Sequence, residues 1–215
     1  MTRRRLMMLK KSGGGLPDGY TAVEYIQNLV TAFKQYYFDT EIIATQNTVV
    51  EVKYAAKLLH QNGYFLFGAR ASNNTSRFFC YLDSNSNGRN IFAYGNGSDE
   101  SNVGVLNDQI IICKYSADGV VKMDENGNIL KTATVATSND FTTPHGLLLC
   151  QCWNNNTVSQ NRDFMGDIYY AKIYDGNNLV RDFVPCLDAE GVPCLYDLVG
   201  QKPYYNQGSG SFTWG

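Results

Sequence analysis

The chain is poor in the residues and patterns that carry most enzymatic chemistry. Its 215 residues include only two histidines, His60 and His145, and neither lies in a nucleophile motif such as G-x-S-x-G. There is no P-loop, no G-x-G-x-x-G after a strand and no H-E-x-x-H. Also missing is an E-x-D-x-E strand, which would bring two glutamates to one face as nucleophile and general acid for glycoside cleavage. Asp39-Thr40-Glu41 is the nearest approach to it, and Asp188-Ala189-Glu190 sits in a turn, where acidic residues are expected anyway. These absences argue against an enzyme, and a triad assembled from distant residues is the one arrangement they leave open.

Long apolar runs are missing too. None approaches the ~18 residues of a membrane span, so no membrane insertion is expected. Leu6–Leu9, between TRRR and Lys10-Lys11, is shorter than the ~7 residues of a secretory core, which predicts synthesis in the cytoplasm without export. The net charge is only −2, yet five of the 18 basic residues (Arg3, Arg4, Arg5, Lys10, Lys11) stand in the first eleven positions, against 20 acidic residues in all. The body is therefore acidic, which excludes nucleic acid as the expected partner. Heptads and long helices are absent, and Val23–Tyr36 is the one stretch where helix competes with strand.

What is present points to strands and turns. Aromatic content is 13%, with 15 Tyr, 11 Phe and 20 Gly, a composition that suits many short strands in a single all-β domain. We expect a flexible basic arm over residues 1–15, jointed at Ser12-Gly13-Gly14-Gly15, and one domain over 16–215. Val49–Tyr54 alternates as a half-buried strand. Tyr64–Arg70, Arg77–Leu82 and Asn90–Tyr94 then suggest an up-and-down walk across one sheet. Gln109–Tyr115, Val120–Met123 and Ile129–Val135 follow as hairpin strands, and Pro144–Trp153 brings Leu147, Leu148 and Leu149 into the core. Tyr204–Trp214 is expected as an edge strand that pairs with the first one.

Gly166–Val199 is the stretch around which the rest is organised. Gly166–Tyr174 and Leu179–Val184 form a hairpin about Asp175–Asn178, with Pro185 ending the second strand. Tyr169, Ala171 and Ile173 would share one face and Ile168, Tyr170 and Tyr174 the other, so the first strand is expected to be covered on both sides. Arg181 and Asp182 are expected to pair at the strand end. The six cysteines, 80, 113, 150, 152, 186 and 194, lie mostly in apolar runs and suit core thiols better than bridges. Cys150 and Cys152 would point to one face but lack the second Cys/His pair of a zinc site, and Cys186 and Cys194 flank a turn as the one pair to test for a disulfide.

The segments GDIYYAKIYD (166–175), VRDFVPC (180–186), GVPCLYDLV (191–199) and YYNQGSGSF (204–212), with YTAVEYIQ (20–27) and QYYFDT (35–40), resemble the concanavalin A/laminin-G type of lectin-like jelly roll in bacteriophage and prophage structural proteins. The resemblance spans Leu16–Gly215. It implies an antiparallel β-sandwich and a non-enzymatic virion component, a head or tail fibre or decoration protein. Such a component would be a homo-oligomer held to other virion proteins through the arm, attaching to a bacterial surface glycan. A purely structural decoration or assembly protein is the alternative, and a glycan-cleaving enzyme the third.

Sugar recognition needs an aromatic platform with planar polar side chains around it. Trp153, followed by Asn154, Asn155 and Asn156 and closed by Arg162 and Asp163, offers that mixture; equally, Trp153 could cap the core edge above a merely soluble loop. Tyr94 with Asn96 is a second candidate. No cofactor is required, with structural calcium weighed for the oxygen-rich loops 83–87 and 154–163.

Overall fold

Alternation over residues 48–54 is obeyed residue by residue: Val50, Val52 and Tyr54 are fully buried, while Val49, Glu51 and Lys53 stay half-exposed; Ala55 and Ala56 are both buried. The structure, a computed structural model, describes residues 15–29, 34–57, 63–72, 75–83, 88–96, 100–104, 108–135 and 140–215. In chain order the first strands are β1 (Thr21–Ala22), β2 (Ile26–Asn28), β3 (Phe38–Thr45), β4 (Thr48–Ala56), β5 (Tyr64–Ser72), β6 (Thr75–Asp83) and β7 (Arg89–Gly95). Next come β8 (Glu100–Asn102), β9 (Ile110–Ser116), β10 (Gly119–Asp124), β11 (Ile129–Ala133), β12 (Thr142–Leu149), β13 (Trp153–Asn154) and β14 (Thr157–Val158). The last five are β15 (Gly166–Asp175), β16 (Asn178–Leu187), β17 (Pro193–Asp197), β18 (Lys202–Tyr205) and β19 (Thr213–Trp214).

They build two sheets packed face to face. The larger runs β11-β10-β9-β4-β15-β16-β17-β18, with β1 beside β16 and β2 between β15 and β19; the smaller runs β14-β13-β5-β6-β7-β8, with β12 joining β3 to β5. All pairs are antiparallel except β13 with β5. The expected all-β sandwich is therefore the fold, and the up-and-down walk is found as expected: β5, β6 and β7 are consecutive antiparallel strands of the smaller sheet, whereas β4 pairs with β15 and β9 in the larger. Trp214 and Thr213 pair with Ile26 and Gln27 as expected, while Lys202–Tyr205 forms a separate strand against β17. Residues 23–29 are strand or irregular, and 30–33 lie outside the described residues, as do 1–14. Leu16 and Tyr20 pack on a small cluster of Cys186, Cys194 and Tyr196.

The central hairpin differs from expectation in three ways. Tyr169 is an extra residue in β15, since Ile168 pairs with Tyr54 and Tyr170 already with Lys53. Such a bulge resets the parity, so Ile168, Ala171 and Ile173 all enter the core and Tyr170 and Tyr174 remain half-exposed on a face that is not fully covered. Strand β16 continues through Pro185, whose carbonyl accepts from Val23 N–H at 3.2 Å. Arg181 does not pair with Asp182; adjacent strand residues point to opposite faces. Arg181 reaches Asp197 at 3.5 Å and Glu41 at 3.7 Å, and Asp182 stands opposite Lys172.

All six cysteines are buried and free. The thiols of Cys186 and Cys194 face each other across β16 and β17 at 3.3 Å without a bond. Cys150 and Cys152 do not share a face: Cys150, at φ 68°, ends β12 and enters the main core, and Cys152 turns to a second cluster on the outside of the smaller sheet.

The sheets are also locked together by a polar node in the core. Asn90 Nδ2 donates to the hydroxyls of Tyr54 and Tyr115, each at 2.9 Å, and its Oδ1 accepts from the Cys80 thiol at 3.2 Å. Asn90 and Cys80 come from the smaller sheet, Tyr54 and Tyr115 from the larger, and none of the four is exposed. A satisfied network of this kind fixes the register of the two layers, because any slip strands a donor.

Candidate functional site

The smaller sheet carries aromatic rings on its outer side as well as in the core. In β6, Phe78, Cys80 and Leu82 point inward, so Arg77, Phe79 and Tyr81 point outward. Phe65 pairs with Tyr81 across β5 and β6, and the rings of Phe65, Phe79 and Tyr81 form one cluster, with centroids 5.5 and 5.1 Å apart from Phe65. Two glycines make room for it: a Cβ on Gly68 would overlap Phe79 and Cys152, and one on Gly63 would overlap the Tyr81 ring.

Two arginines lie on this bed. The Arg70 guanidinium carbon sits 5.4 Å from the Phe79 centroid and 5.9 Å from that of Phe65; that of Arg162 sits 5.5 Å from Tyr81. The parallel register of β13 on β5 sets Asn154 opposite Arg70, and Arg70 Nε donates to Asn154 Oδ1 at 3.1 Å. Arg162 Nη1 donates to the Tyr81 hydroxyl. Among the described residues no carboxylate pairs with either arginine.

The predicted residues are divided by the β13–β14 ribbon. Asn154 and Arg162 belong to the arginine face. Trp153 turns the other way, packs against the core edge and stacks on His145 with centroids 4.7 Å apart, and Asn156 Oδ1 lies 3.1 Å from His145 Nε2. The indole N–H of Trp153 is buried with no acceptor among the described residues, so its ring is the rim of the core before it is a platform. Asp163 does not close the loop: it is 4% exposed, and its Oδ1 accepts from Tyr36 N–H at 2.8 Å. Burial raises its pKa above the ordinary carboxylate value, partly offset by that N–H. Tyr94 is likewise a core residue, wedged against Phe141, with its hydroxyl donating to Gln46 C=O at 3.0 Å.

Asn96, the companion of Tyr94, lines a cleft of about 770 Å³ with Asn47, Asp140, Tyr174 and Asp175. Glu41, at its margin, is engaged by Lys202 at 2.7 Å and the Tyr204 hydroxyl at 3.1 Å. The Lys202 hydrogen bond lowers its pKa, against burial and with help from Tyr204. Asp39 Oδ1 accepts from Glu41 N–H at 2.8 Å, and Glu41 is paired with Lys202 and Arg181; both carboxylates line a small pocket with Lys202 and Tyr204. Burial pushes the thiols of Cys80, Cys113, Cys150 and Cys152 up, Cys113 to about 11, which keeps them protonated near neutral pH. No three His, Cys, Asp or Glu side chains converge on a metal position among the described residues. Asp83 of loop 83–87 bonds Arg89 at 2.5 Å, and residues 84–87 and His60 lie outside the described residues.

Sequence reasoning missed Arg70, His145, Phe65, Phe79 and Tyr81. The signal was in the run Phe78–Leu82, where aromatic residues occupy both parities and so must cover both faces of a strand.

No protein-family model and no curated protein matches the sequence. Eleven chains of known structure do match. One is a "putative carbohydrate binding protein" from Bacteroides ovatus, with TM-score 0.56 and 9% identity, covering 90% of this chain and 60% of that one. Another is a native heptameric SAP-like pentraxin from Limulus polyphemus, with TM-score 0.49 and 12% identity over 72% of this chain and 76% of that one. The match to the Bacteroides protein, at 9% identity, shows a shared jelly-roll fold and no more, and the chain spans only 60% of that protein. Nothing among them bears on a bacteriophage origin.

Proposed function

We propose that the chain is a non-enzymatic, lectin-like domain that binds glycans at the β13–β14 ribbon and the arginine face beside it. The observation that carries this reading is the assembly, on one edge of a sandwich, of planar polar side chains preset on aromatic rings: Arg70 and Arg162 over Phe65, Phe79 and Tyr81, with Asn154 alongside. Phe65 and Phe79 are buried beneath the arginines and Tyr81 is partly exposed; planar hydrogen-bonding groups beside an accessible ring are what sugar hydroxyls and pyranose faces require. The fold shared with a protein described as carbohydrate-binding supports it by analogy alone. In the setting that the sequence resemblance implies, the domain sits on a bacteriophage particle, its residues 1–15 hold it to neighbouring virion proteins, and the ribbon meets the bacterial surface.

A glycan-array screen of the purified protein beside Arg162→Ala and Trp153→Ala variants tests the reading. Binding that falls at least tenfold in Arg162→Ala, with unchanged circular dichroism, supports it; a parent that binds no glycan sinks it. A second reading, packing against neighbours without glycan binding, is favoured by Ile129 and Leu130, which stand 66% and 49% exposed on the outermost strand β11. A defined oligomer of the parent that disperses in an Ile129→Lys variant, with no glycan bound, would favour that reading.

A further inference from the structure

We infer that the glycan taken by this face is acidic: a polysaccharide bearing carboxylate or sulfate groups, gripped by Arg70 and Arg162. The inference rests on the glycan-binding reading above and adds the chemical class of the ligand. Three observations carry it. First, the two guanidinium groups are held on the outer aromatic cluster, one bed of rings beneath both. Contact with a ring holds each planar fork in place, and the donors not used within the fold suit bidentate oxyanion recognition.

Second, each arginine donates to one neutral acceptor in the fold, Asn154 Oδ1 for Arg70 and the Tyr81 hydroxyl for Arg162. An arginine has five N–H donors and no acceptor, so most of the donor capacity of both is left to solvent or ligand. The other described arginine whose guanidinium contacts an aromatic ring, Arg181, is by contrast fixed between Asp197 and Glu41. Third, the chain as a whole carries net charge −2. Long-range attraction therefore does not draw a polyanion to it, and screening limits such fields to about 8 Å at physiological salt. Two cations without carboxylate partners on an acidic body mark a local, built preference for an anion.

Dextran, dextran sulfate and polygalacturonate serve as probes, with affinity measured by calorimetry at 0.15 M salt. The parent, an Arg70→Gln/Arg162→Gln double variant, an Arg70→Lys/Arg162→Lys double variant and Lys131→Gln, a single charge removed on the distant strand β11, are compared. The expected result is binding of one or both acidic polymers and not dextran, a loss of about tenfold per arginine in the glutamine variant, partial loss in the lysine variant and none in Lys131→Gln. The lysine variant keeps both charges, so failure there with retained fold separates fork geometry from charge alone. Dextran bound as tightly as the acidic polymers would overturn the acidic preference while leaving glycan binding intact. Acidic binding weakened equally by Lys131→Gln would overturn the assigned site. If the parent binds none of the three but binds other neutral glycans on the array, the acidic preference falls; if it binds nothing, the glycan-binding reading falls with it.

Discussion

Two clusters in this molecule combine aromatic rings with polar groups, and they are built on opposite principles. At the Asn90 node every partner is supplied from within: the amide serves two tyrosine hydroxyls and a thiol, and all four residues are sealed. On the outer face of the same sheet the rings carry cations whose partners are mostly not supplied. One sheet thus presents a closed network to the core and an open one to solvent. A closed network contributes stability and register; an open one has donor capacity that a ligand can complete.

That contrast breaks most visibly at Asn90. In Asn90→Ala two buried hydroxyls and a thiol each lose one hydrogen bond and keep only weaker contacts to sulfur or to one another, and we expect a loss of about 3 kcal/mol, or about 6–12 °C in Tm, by urea and thermal unfolding. Glycan affinity measured well below the new midpoint should be unchanged, which separates the node from the face. Gly68→Ala is the sharper intermediate case. The added methyl meets Phe79 and Cys152, so a cost of about 2 kcal/mol is expected from overpacking, together with weaker polyanion binding because Phe79 carries Arg70.

Smaller effects follow at charges placed inside and outside the sandwich. Burial raises the Asp163 pKa, so the folded state holds that proton more tightly than the unfolded chain does. Its contribution to stability therefore falls as pH rises from about 4 through the raised value. Asp163→Asn keeps an acceptor for Tyr36 N–H and should flatten this slope in urea titrations between pH 4 and 7, while Asp167 and Asp182, raised by burial too, keep part of it. Smallest of all, Glu41→Gln removes an exposed ion pair with Lys202; neither the unfolding midpoint nor glycan binding should move measurably.

The sequence revealed most about elements whose pattern is local. The alternation in β4, the consecutive strands β5 to β7 and the hairpins of β9 to β11 follow from residue parity and turn chemistry. Its failures share a cause in long-range pairing. Nothing in Gly166–Tyr174 announces that Tyr169 will bulge, because the bulge is defined only by the partner β4. Which of Trp153 and Asn154 joins the arginine face likewise depends on β13 lying parallel to β5, a register that residues 153–162 do not encode alone. Arg70 could not be joined to Asn154 for the same reason, though 84 residues apart they make one side-chain hydrogen bond. Burial of Tyr94 and Asp163 was concealed by their polar neighbours, Asn96 and Arg162, which do face solvent.

Hydrogen exchange by mass spectrometry, with and without a saturating acidic polysaccharide, distinguishes the open face from the cleft most directly. New protection in 65–70, 79–81 and 153–162, with no change across 41–48 and 174–180, is the expected result. Protection confined to the cleft segments, with the arginine face exchanging as in the free protein, would contradict it.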